Sequence, residues 1–141
     1  MKKFIYVSFL TIAGAGILQC VALACSCASP AALPIEFSQS TAVFSGEAIK
    51  ILHISDLVVE VTFAKQQNFK GPSDENIAVR TMTQETACGV DFQMGQQYLV
   101  YAYSDPNVAK DIYFTNACTR TKLLSLAQED LKALDLFNRA K

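Results

Sequence analysis

The fold class of this chain is decided by the stretch Leu57-Val58-Val59-Glu60-Val61-Thr62-Phe63-Ala64. One of its two faces carries large apolar side chains, namely Leu57, Val59, Val61 and Phe63. Glu60 and Thr62 fall on the opposite face. This alternation is typical of a β-strand with one buried face. The stretch therefore predicts a sheet rather than a helical bundle.

Four further strands are predicted around this one, because runs rich in β-branched and aromatic residues are separated by turn signals. Their ranges are Ala42–Ile54, Ile77–Thr83, Gln97–Tyr103 and Asp111–Thr115. Gly46, inside the first of them, marks a position where a strand can bulge. A short helical turn is predicted over Ile35–Ser40, after a segment interrupted by two prolines.

After Cys118 the apolar period changes from two to 3.6, which predicts a terminal amphipathic helix. Its apolar stripe comprises Leu123, Leu124, Ala127, Leu131, Leu134 and Phe137, and the charged residues Glu129, Asp130, Lys132 and Arg139 are placed off the stripe. Five strands and one helix predict a mainly β domain. A five-stranded Greek-key barrel of the oligonucleotide/oligosaccharide-binding (OB) type fits that count, with the helix covering part of the barrel.

The first 24 residues have the composition of a cleaved leader. Lys2 and Lys3 precede an apolar run from Phe4 to Leu18, and Ala22-Leu23-Ala24 supplies the small residues that a signal peptidase reads. We predict cleavage between Ala24 and Cys25. A compact leader with two lysines is typical of a bacterial protein.

Removal of residues 1–24 as a signal peptide leaves residues 25–141 as one secreted or periplasmic domain, which we expect to be a monomer. The later apolar stretches have strand length and are interrupted by charge, so no transmembrane segment is expected in the mature chain. The net charge of the whole chain is −1 and becomes more negative when the leader lysines are lost. This charge excludes a strongly basic nucleic-acid binder.

Cysteine usage fits export. The chain has five cysteines, of which Cys20 lies in the leader, and the four that remain are Cys25, Cys27, Cys88 and Cys118. An even number of thiols in an oxidising compartment predicts two disulfides. A Cys25–Cys27 bond would close a small, strained ring, so each of these residues is expected to reach a distant partner. Two pairings with Cys88 and Cys118 then remain open.

Catalytic constellations are missing from the sequence. His53 is the only histidine, which excludes a multi-histidine metal site and makes His53 an ordinary strand residue. The chain has no Gly-rich phosphate loop and no Gly-x-Ser-x-Gly, and its 13 carboxylates are scattered. We therefore expect no enzyme and no metal or cofactor of its own.

Several short motifs occur in an order that matches a known family. The predicted mature start, Cys25-Ser26-Cys27-Ala28-Ser29-Pro30, has the form Cys-x-Cys-x-x-Pro. The other motifs are Asn68-Phe69-Lys70-Gly71, Ile77-Ala78-Val79-Arg80, Glu85-Thr86-Ala87-Cys88-Gly89, Ala117-Cys118 and Leu124-Ser125-Leu126-Ala127-Gln128. Together they resemble the N-terminal, netrin-like domain of the tissue inhibitors of metalloproteinases, which has the five-stranded barrel fold.

The resemblance implies both a pairing and a function. It selects the disulfides Cys25–Cys88 and Cys27–Cys118. It implies an inhibitor of zinc metalloendopeptidases in which the α-amine and carbonyl oxygen of Cys25 chelate the catalytic zinc of the partner protease, because such a zinc keeps a position open. The other expected protease contacts are Ser26, pointing to the specificity pocket, Cys27, Ala28 and Ser29 along the cleft, and Thr86 and Ala87 on its other side.

The chain also departs from the family. The animal members have a third disulfide in this domain and a further cysteine-rich domain, neither of which this sequence provides, and the loop between the first two strands is reduced to about His53–Asp56. The alternative interpretation is a non-inhibitory exported netrin-like binding module. Lipidation at Cys20 or Cys25 would anchor the protein to a membrane, and acylation of the Cys25 amine would abolish chelation.

Overall fold

The computed structural model describes Cys25, Cys27 and the residues 29–83, 88–107, 109 and 111–140. The predicted signal peptide, residues 1–24, lies outside the described residues. In the described part of the chain, no helix is long and apolar enough to cross a membrane.

Strands dominate the described chain and a helix closes it. The elements are α1 (Leu33–Gln39), β1 (Ala42–His53), β2 (Val58–Lys70), β3 (Asn76–Met82), β4 (Gln97–Ala102), β5 (Tyr113–Phe114), β6 (Lys122–Leu123), a 3₁₀ turn (Leu124–Leu126) and α2 (Gln128–Arg139). The prediction of a mainly β fold with a C-terminal helix is confirmed.

The strands form one curled, half-barrel sheet in the order β5-β3-β2-β1-β4-β6. Strands β1 and β2 pair antiparallel along nearly their whole length, and β3 and β4 join them on either side, also antiparallel. Strand β5 runs parallel to β3. An isolated antiparallel bridge between Tyr103 and Phe114 links the end of β4 to β5, which brings the two sides of the curled sheet together.

The curl of the sheet is concentrated in β1, where the register with β2 shifts at three places, one of them between Ser45 and Gly46. Such irregularities bend a strand and increase its twist. A Cβ added at Gly46 would lie 2.8 Å from the carbonyl oxygen of Ala64, so the close approach of the two strands requires glycine here. The bulge predicted at Gly46 is confirmed.

Two cores lie on opposite faces of β1 and β4. Inside the curl, four aromatic rings pack mostly edge to face: Phe44, Phe63, Phe92 and Tyr98. Outside it, Val43, Leu99 and Tyr101 pack against Leu134 of α2. Because β1 and β4 are covered on both faces, they read as continuous apolar runs in the sequence.

Several boundaries differ from the prediction. The strand predicted over Leu57–Ala64 runs from Val58 to Lys70, and Leu57, expected on its buried face, lies before it and is exposed. Six strands form instead of five, because Lys122 and Leu123 pair with Leu99 and Tyr98 of β4. The terminal helix consequently begins at Gln128, and Leu124 belongs to the 3₁₀ turn that precedes it. The apolar period continues through all three elements, so periodicity alone could not separate them.

Candidate functional site

Two disulfides fasten the beginning of the described chain to the sheet. Cys25 is bonded to Cys88 and Cys27 to Cys118, with Cα–Cα distances of 5.1 and 5.2 Å. This is the pairing that the family resemblance implies. Cys25 and Cys27 are separated by a single residue, so this short segment is attached at two points to two different loops. Bonds between distant residues restrict the chain ends that otherwise fray.

The two loops that receive these bonds are themselves in contact. The backbone N–H of Ala117 donates to the carbonyl oxygen of Cys88 at 2.9 Å. The N–H of Cys118 donates to Asn116 Oδ1 at 2.8 Å, which fixes the turn around that cysteine. The two attachment points therefore form one surface rather than two independent loops.

Glycine is required in the loop that carries Cys88. A Cβ added at Gly89 would lie 1.8 Å from the carbonyl oxygen of Met82, at the end of β3. The next residue, Val90, donates its N–H to the buried Thr81 hydroxyl at 3.0 Å. Only a residue without a side chain allows the backbone to come this close to the strand. The position of Cys88 thus depends on β3.

Three threonine hydroxyls support the loop that carries Cys118. Thr115 is buried, and its hydroxyl donates to the carbonyl oxygen of Tyr101 at 2.9 Å. The hydroxyls of Thr119 and Thr121 lie 3.1 and 2.9 Å from that of Thr115. The N–H of Thr115 also donates to the carbonyl oxygen of Arg80 in β3 at 2.9 Å. These contacts connect the Cys118 loop to both β4 and β3.

Arg120 provides a third attachment for the N-terminal segment. Its Nη1 donates to the carbonyl oxygen of Ala31 at 3.2 Å. Its Nε and Nη2 donate to the two carboxylate oxygens of Asp130 at 3.0 and 2.6 Å, and Lys122 Nζ lies 3.3 Å from the same carboxylate. A bidentate Arg–carboxylate pair has a fixed geometry. Asp130 of α2 therefore fixes the guanidinium in the position from which it donates to Ala31.

The charges of this group perturb its carboxyl groups. Burial on its own would raise the pKa of Asp130, but the hydrogen bonds from Arg120 and the positive charge of Lys122 outweigh it and lower the pKa below its ordinary value of 3.8. Glu36 in α1 shows the opposite result, since burial raises its pKa more than the charge of Arg120 lowers it. Asp130 is thus held as the ionised partner of Arg120.

Three sulfur atoms, those of Cys25, Cys27 and Cys118, lie within 4.8 Å of one another. Such a group could hold a metal ion only as thiolates. All three sulfurs are already joined in disulfides, so these side chains are not metal ligands in this form of the protein.

Of the site residues predicted from the sequence, the structure brings together Cys25, Cys27, Cys88 and Cys118, and it leaves Ser29 exposed beside them. The expected contact residues Ser26, Ala28, Thr86 and Ala87 lie outside the described residues.

Sequence reasoning missed Gly89, Arg120 and the threonines, and it misplaced Asp130. Asp130 was expected off the apolar stripe of α2, but the structure buries it. The signal was present in the spacing, because Asp130 lies three residues after Ala127 and four before Leu134, both of which are buried.

His53 lies at the exposed end of β1, as a strand residue, and borders an open groove of about 820 Å³. Apolar side chains of Ile51, Val59 and Phe92 form part of the groove wall. The exposed carboxylates of Asp56 and Asp91 also line it. The groove is on the side of the sheet where β1 and β2 turn, and its lining includes none of the disulfide cysteines.

Comparison of the chain with protein-family models and with curated proteins finds no match.

Proposed function

We propose that this protein is an exported inhibitor of zinc metalloendopeptidases and that it acts through the mature N-terminus at Cys25. The observation that carries the proposal is the double attachment of Cys25 and Cys27 to two loops that contact each other. A segment ordered before binding loses little conformational entropy when it enters a cleft. Short peptides without such attachments would have to be ordered by the protease.

The chemistry of the proposed contact uses main-chain atoms only. Cleavage before Cys25 creates a free α-amine, whose ordinary pKa of about 7.7–8.0 leaves a substantial neutral fraction at physiological pH. The neutral amine nitrogen and the carbonyl oxygen of Cys25 then bind the protease's zinc at the position that its catalytic water occupies. In this proposal Ser26 points to the specificity pocket of the protease, and Cys27, Ala28 and Ser29 follow along the cleft. Thr86 and Ala87 fill the other side of the cleft, because the Cys25–Cys88 bond ties their loop to Cys25.

We further propose that the curled sheet is a netrin-like OB barrel. The antiparallel pairs β1–β2, β2–β3 and β1–β4, the parallel pair β3–β5 and the Tyr103–Phe114 bridge support this proposal, since together they connect five strands into a ring. In this interpretation β6 is a short addition next to β4. The sequence motifs and the cysteine arrangement support placing the chain in the family of metalloproteinase inhibitors.

We propose that the protein is secreted or periplasmic. The predicted leader supports export, and the two disulfides persist in oxidising compartments. The inhibitor itself needs no cofactor and performs no catalysis, since the zinc belongs to the partner.

The alternative function is a non-inhibitory binding module. It is favoured by a separate feature, the exposed apolar side chains of Leu52, Ile54 and Leu57 around the turn between β1 and β2. Clustered exposed apolar side chains are common at protein interaction sites. A partner bound there would not depend on the α-amine of Cys25.

The two functions are separated by modifying that amine. The intact mass of the exported protein is measured first, and it is expected to correspond to a chain that starts at Cys25 and has two disulfides. It is then assayed against a panel of zinc endopeptidases before and after selective acetylation of the α-amine. We expect at least one protease to be inhibited by the free protein and not by the acetylated one. A start elsewhere, or inhibition that survives acetylation, would contradict chelation by Cys25.

A further inference from the structure

The two disulfides are close enough to react with each other. Cys25 Sγ lies 3.8 Å from Cys118 Sγ and 4.0 Å from Cys27 Sγ, the two sulfurs of the other disulfide. All four cysteines are half-buried, so a small reagent can reach the group. Once its own bond to Cys88 is opened, the Cys25 thiolate is therefore a nucleophile placed next to the Cys27–Cys118 disulfide.

Exchange is blocked while both bonds are intact. Cys25 Sγ is almost equally far from both sulfurs of the Cys27–Cys118 bond, which means that it lies beside this bond rather than on its extension. Thiol–disulfide exchange needs a thiolate that approaches along the bond it breaks. Cys25 is no thiolate in the native pairing, and its bond to Cys88 holds it in the side position.

We propose that the four cysteines form one exchange site, which takes a small monothiol as co-reactant and converts the native pairing into Cys25–Cys118 with Cys27–Cys88. This is the other of the two distant pairings that the cysteine spacing allows. The inference does not depend on protease inhibition, because it concerns only the sulfur atoms of this chain.

The exchange is balanced without any net oxidant or reductant. A monothiolate attacks Cys88 Sγ, the Cys25–Cys88 bond breaks, and Cys25 leaves as a thiolate while Cys88 carries the mixed disulfide. The Cys25 side chain, now free to rotate, attacks Cys118 Sγ, so that Cys25–Cys118 forms and Cys27 leaves as a thiolate. Cys27 then attacks Cys88 and releases the monothiolate. Two disulfides are present before and after.

Attack at Cys118 is preferred over attack at Cys27. Attack at Cys27 would give a Cys25–Cys27 bond with a single residue between the cysteines, which is a strained ring. The last step, attack of Cys27 on Cys88, is favoured because the two loops stay together. The backbone hydrogen bond from Ala117, the neighbour of Cys118, to Cys88 holds them.

A matched pair of variants tests the exchange step. Cys88→Ser and Cys25→Ser each remove the same disulfide, but only Cys88→Ser leaves its free thiol in the group of three close sulfurs. After incubation at about pH 8.5, where a thiol of ordinary pKa is half ionised, each exported variant is alkylated and the label is located by fragmentation on either side of Ser26.

We expect the label in Cys88→Ser to divide between Cys25 and Cys27 within minutes to hours, and the label in Cys25→Ser to leave Cys88 more slowly, because Cys88 is not one of the three close sulfurs. Each unit of pH below the thiol pKa should slow the division about tenfold, because the thiolate is the nucleophile. A label that stays on Cys25 alone in folded Cys88→Ser would overturn the proposal.

The unaltered protein gives a second test that does not depend on how the variants fold. It is incubated with catalytic reduced glutathione, quenched with acid and mapped by fragmentation between Cys25 and Cys27. Peptides linked through Cys25–Cys118 are expected to appear only with the thiol. If the native pairing alone is recovered, apart from mixed disulfides with glutathione, the exchange site is contradicted.

Discussion

The N-terminal segment, residues 25–31, and the hairpin tip, residues 52–57, are ordered by opposite means. The hairpin tip carries three exposed apolar side chains, including Leu57 at 53% exposure, and continues two strands that pair along nearly their whole length. The described residues of the N-terminal segment, Cys25, Cys27 and 29–31, include no strand, and Ser29 and Pro30 are exposed. It is held by two disulfides and by the hydrogen bond from Arg120.

This difference shows where the sheet can and cannot impose order. Backbone pairing fixes the hairpin tip without help from its side chains, so these are free to vary. None of the described residues in the N-terminal segment is fully buried, so its position must come from bonds supplied by distant residues. Removal of a cross-link is therefore expected to have a large effect on the N-terminal segment. Side-chain substitutions at the hairpin tip are expected to have small effects.

The largest effect is expected from removing one cross-link. Cys27→Ser combined with Cys118→Ser removes a bond between residues 91 positions apart. Because the Cys25–Cys88 bond remains, the loop that this removal opens comprises about 30 residues, mainly those between Cys88 and Cys118. We expect the free energy of unfolding to fall by about 4 kcal/mol, since the unfolded chain gains the freedom that the bond removed. Denaturant unfolding of both proteins measures the difference. A loss below about 1 kcal/mol would mean that the segment is held mainly by other contacts.

Removal of the charge of Asp130 is expected to have the next largest effect. Asp130→Asn leaves Arg120 without its ionic partner in a largely buried place, and we expect a loss of about 3 kcal/mol. Glu129→Gln is the matched control, because Glu129 is the exposed neighbour in the same turn of α2 and should change stability by less than about 0.5 kcal/mol. Hydrogen exchange at residues 29–32 should accelerate in Asp130→Asn only.

The same ion pair predicts a pH dependence. Because the pKa of Asp130 is lower in the folded state than its ordinary 3.8, the pair contributes fully above that value, and its contribution is lost as the pH falls through the folded-state pKa. The stability difference between the unaltered protein and Asp130→Asn should therefore be constant near neutral pH and shrink below about pH 4. A difference that grows on acidification would contradict the assigned charge state.

The smallest effect is expected at the hairpin tip. Leu57→Ser replaces an exposed side chain whose backbone still donates and accepts its hydrogen bonds, with the carbonyl of Leu57 accepting from Thr83 at 3.0 Å. We expect a change in unfolding free energy within about 0.5 kcal/mol and unchanged protease inhibition. Loss of inhibition with unchanged stability would move the functional contact to the hairpin tip.

The sequence predicted the features that local periodicity determines. The alternation of Val59, Val61 and Phe63, the bulge at Gly46 and the terminal helix all follow from residues that are close in the chain. Leu57 was expected on the same buried face, but it precedes the strand and is exposed. Strand β6 was missed because two residues become a strand only by pairing with β4. Asp130 was misplaced because its burial depends on Arg120, which supplies its counter-charge.

The site was only partly predictable for the same reason. Spacing identified the four cysteines and reduced the pairings to two, but it carries no information on which loops meet in space, and the family resemblance was needed to choose between them. The bond from Arg120 to Ala31 joins residues 89 positions apart, and no local pattern announces it. The requirement for Gly89 likewise appears only when Met82 is beside it.

Inhibition is expected to depend on the position of the Cys25 amine, and a one-residue extension tests this dependence most directly. An alanine is added before Cys25, and the inhibition constant is measured against a protease that the unextended protein inhibits, with both disulfides and the melting temperature verified. We predict at least a hundredfold loss of inhibition at unchanged stability, since the amine is displaced from the zinc by one residue. Inhibition equal to that of the unextended protein would contradict the account.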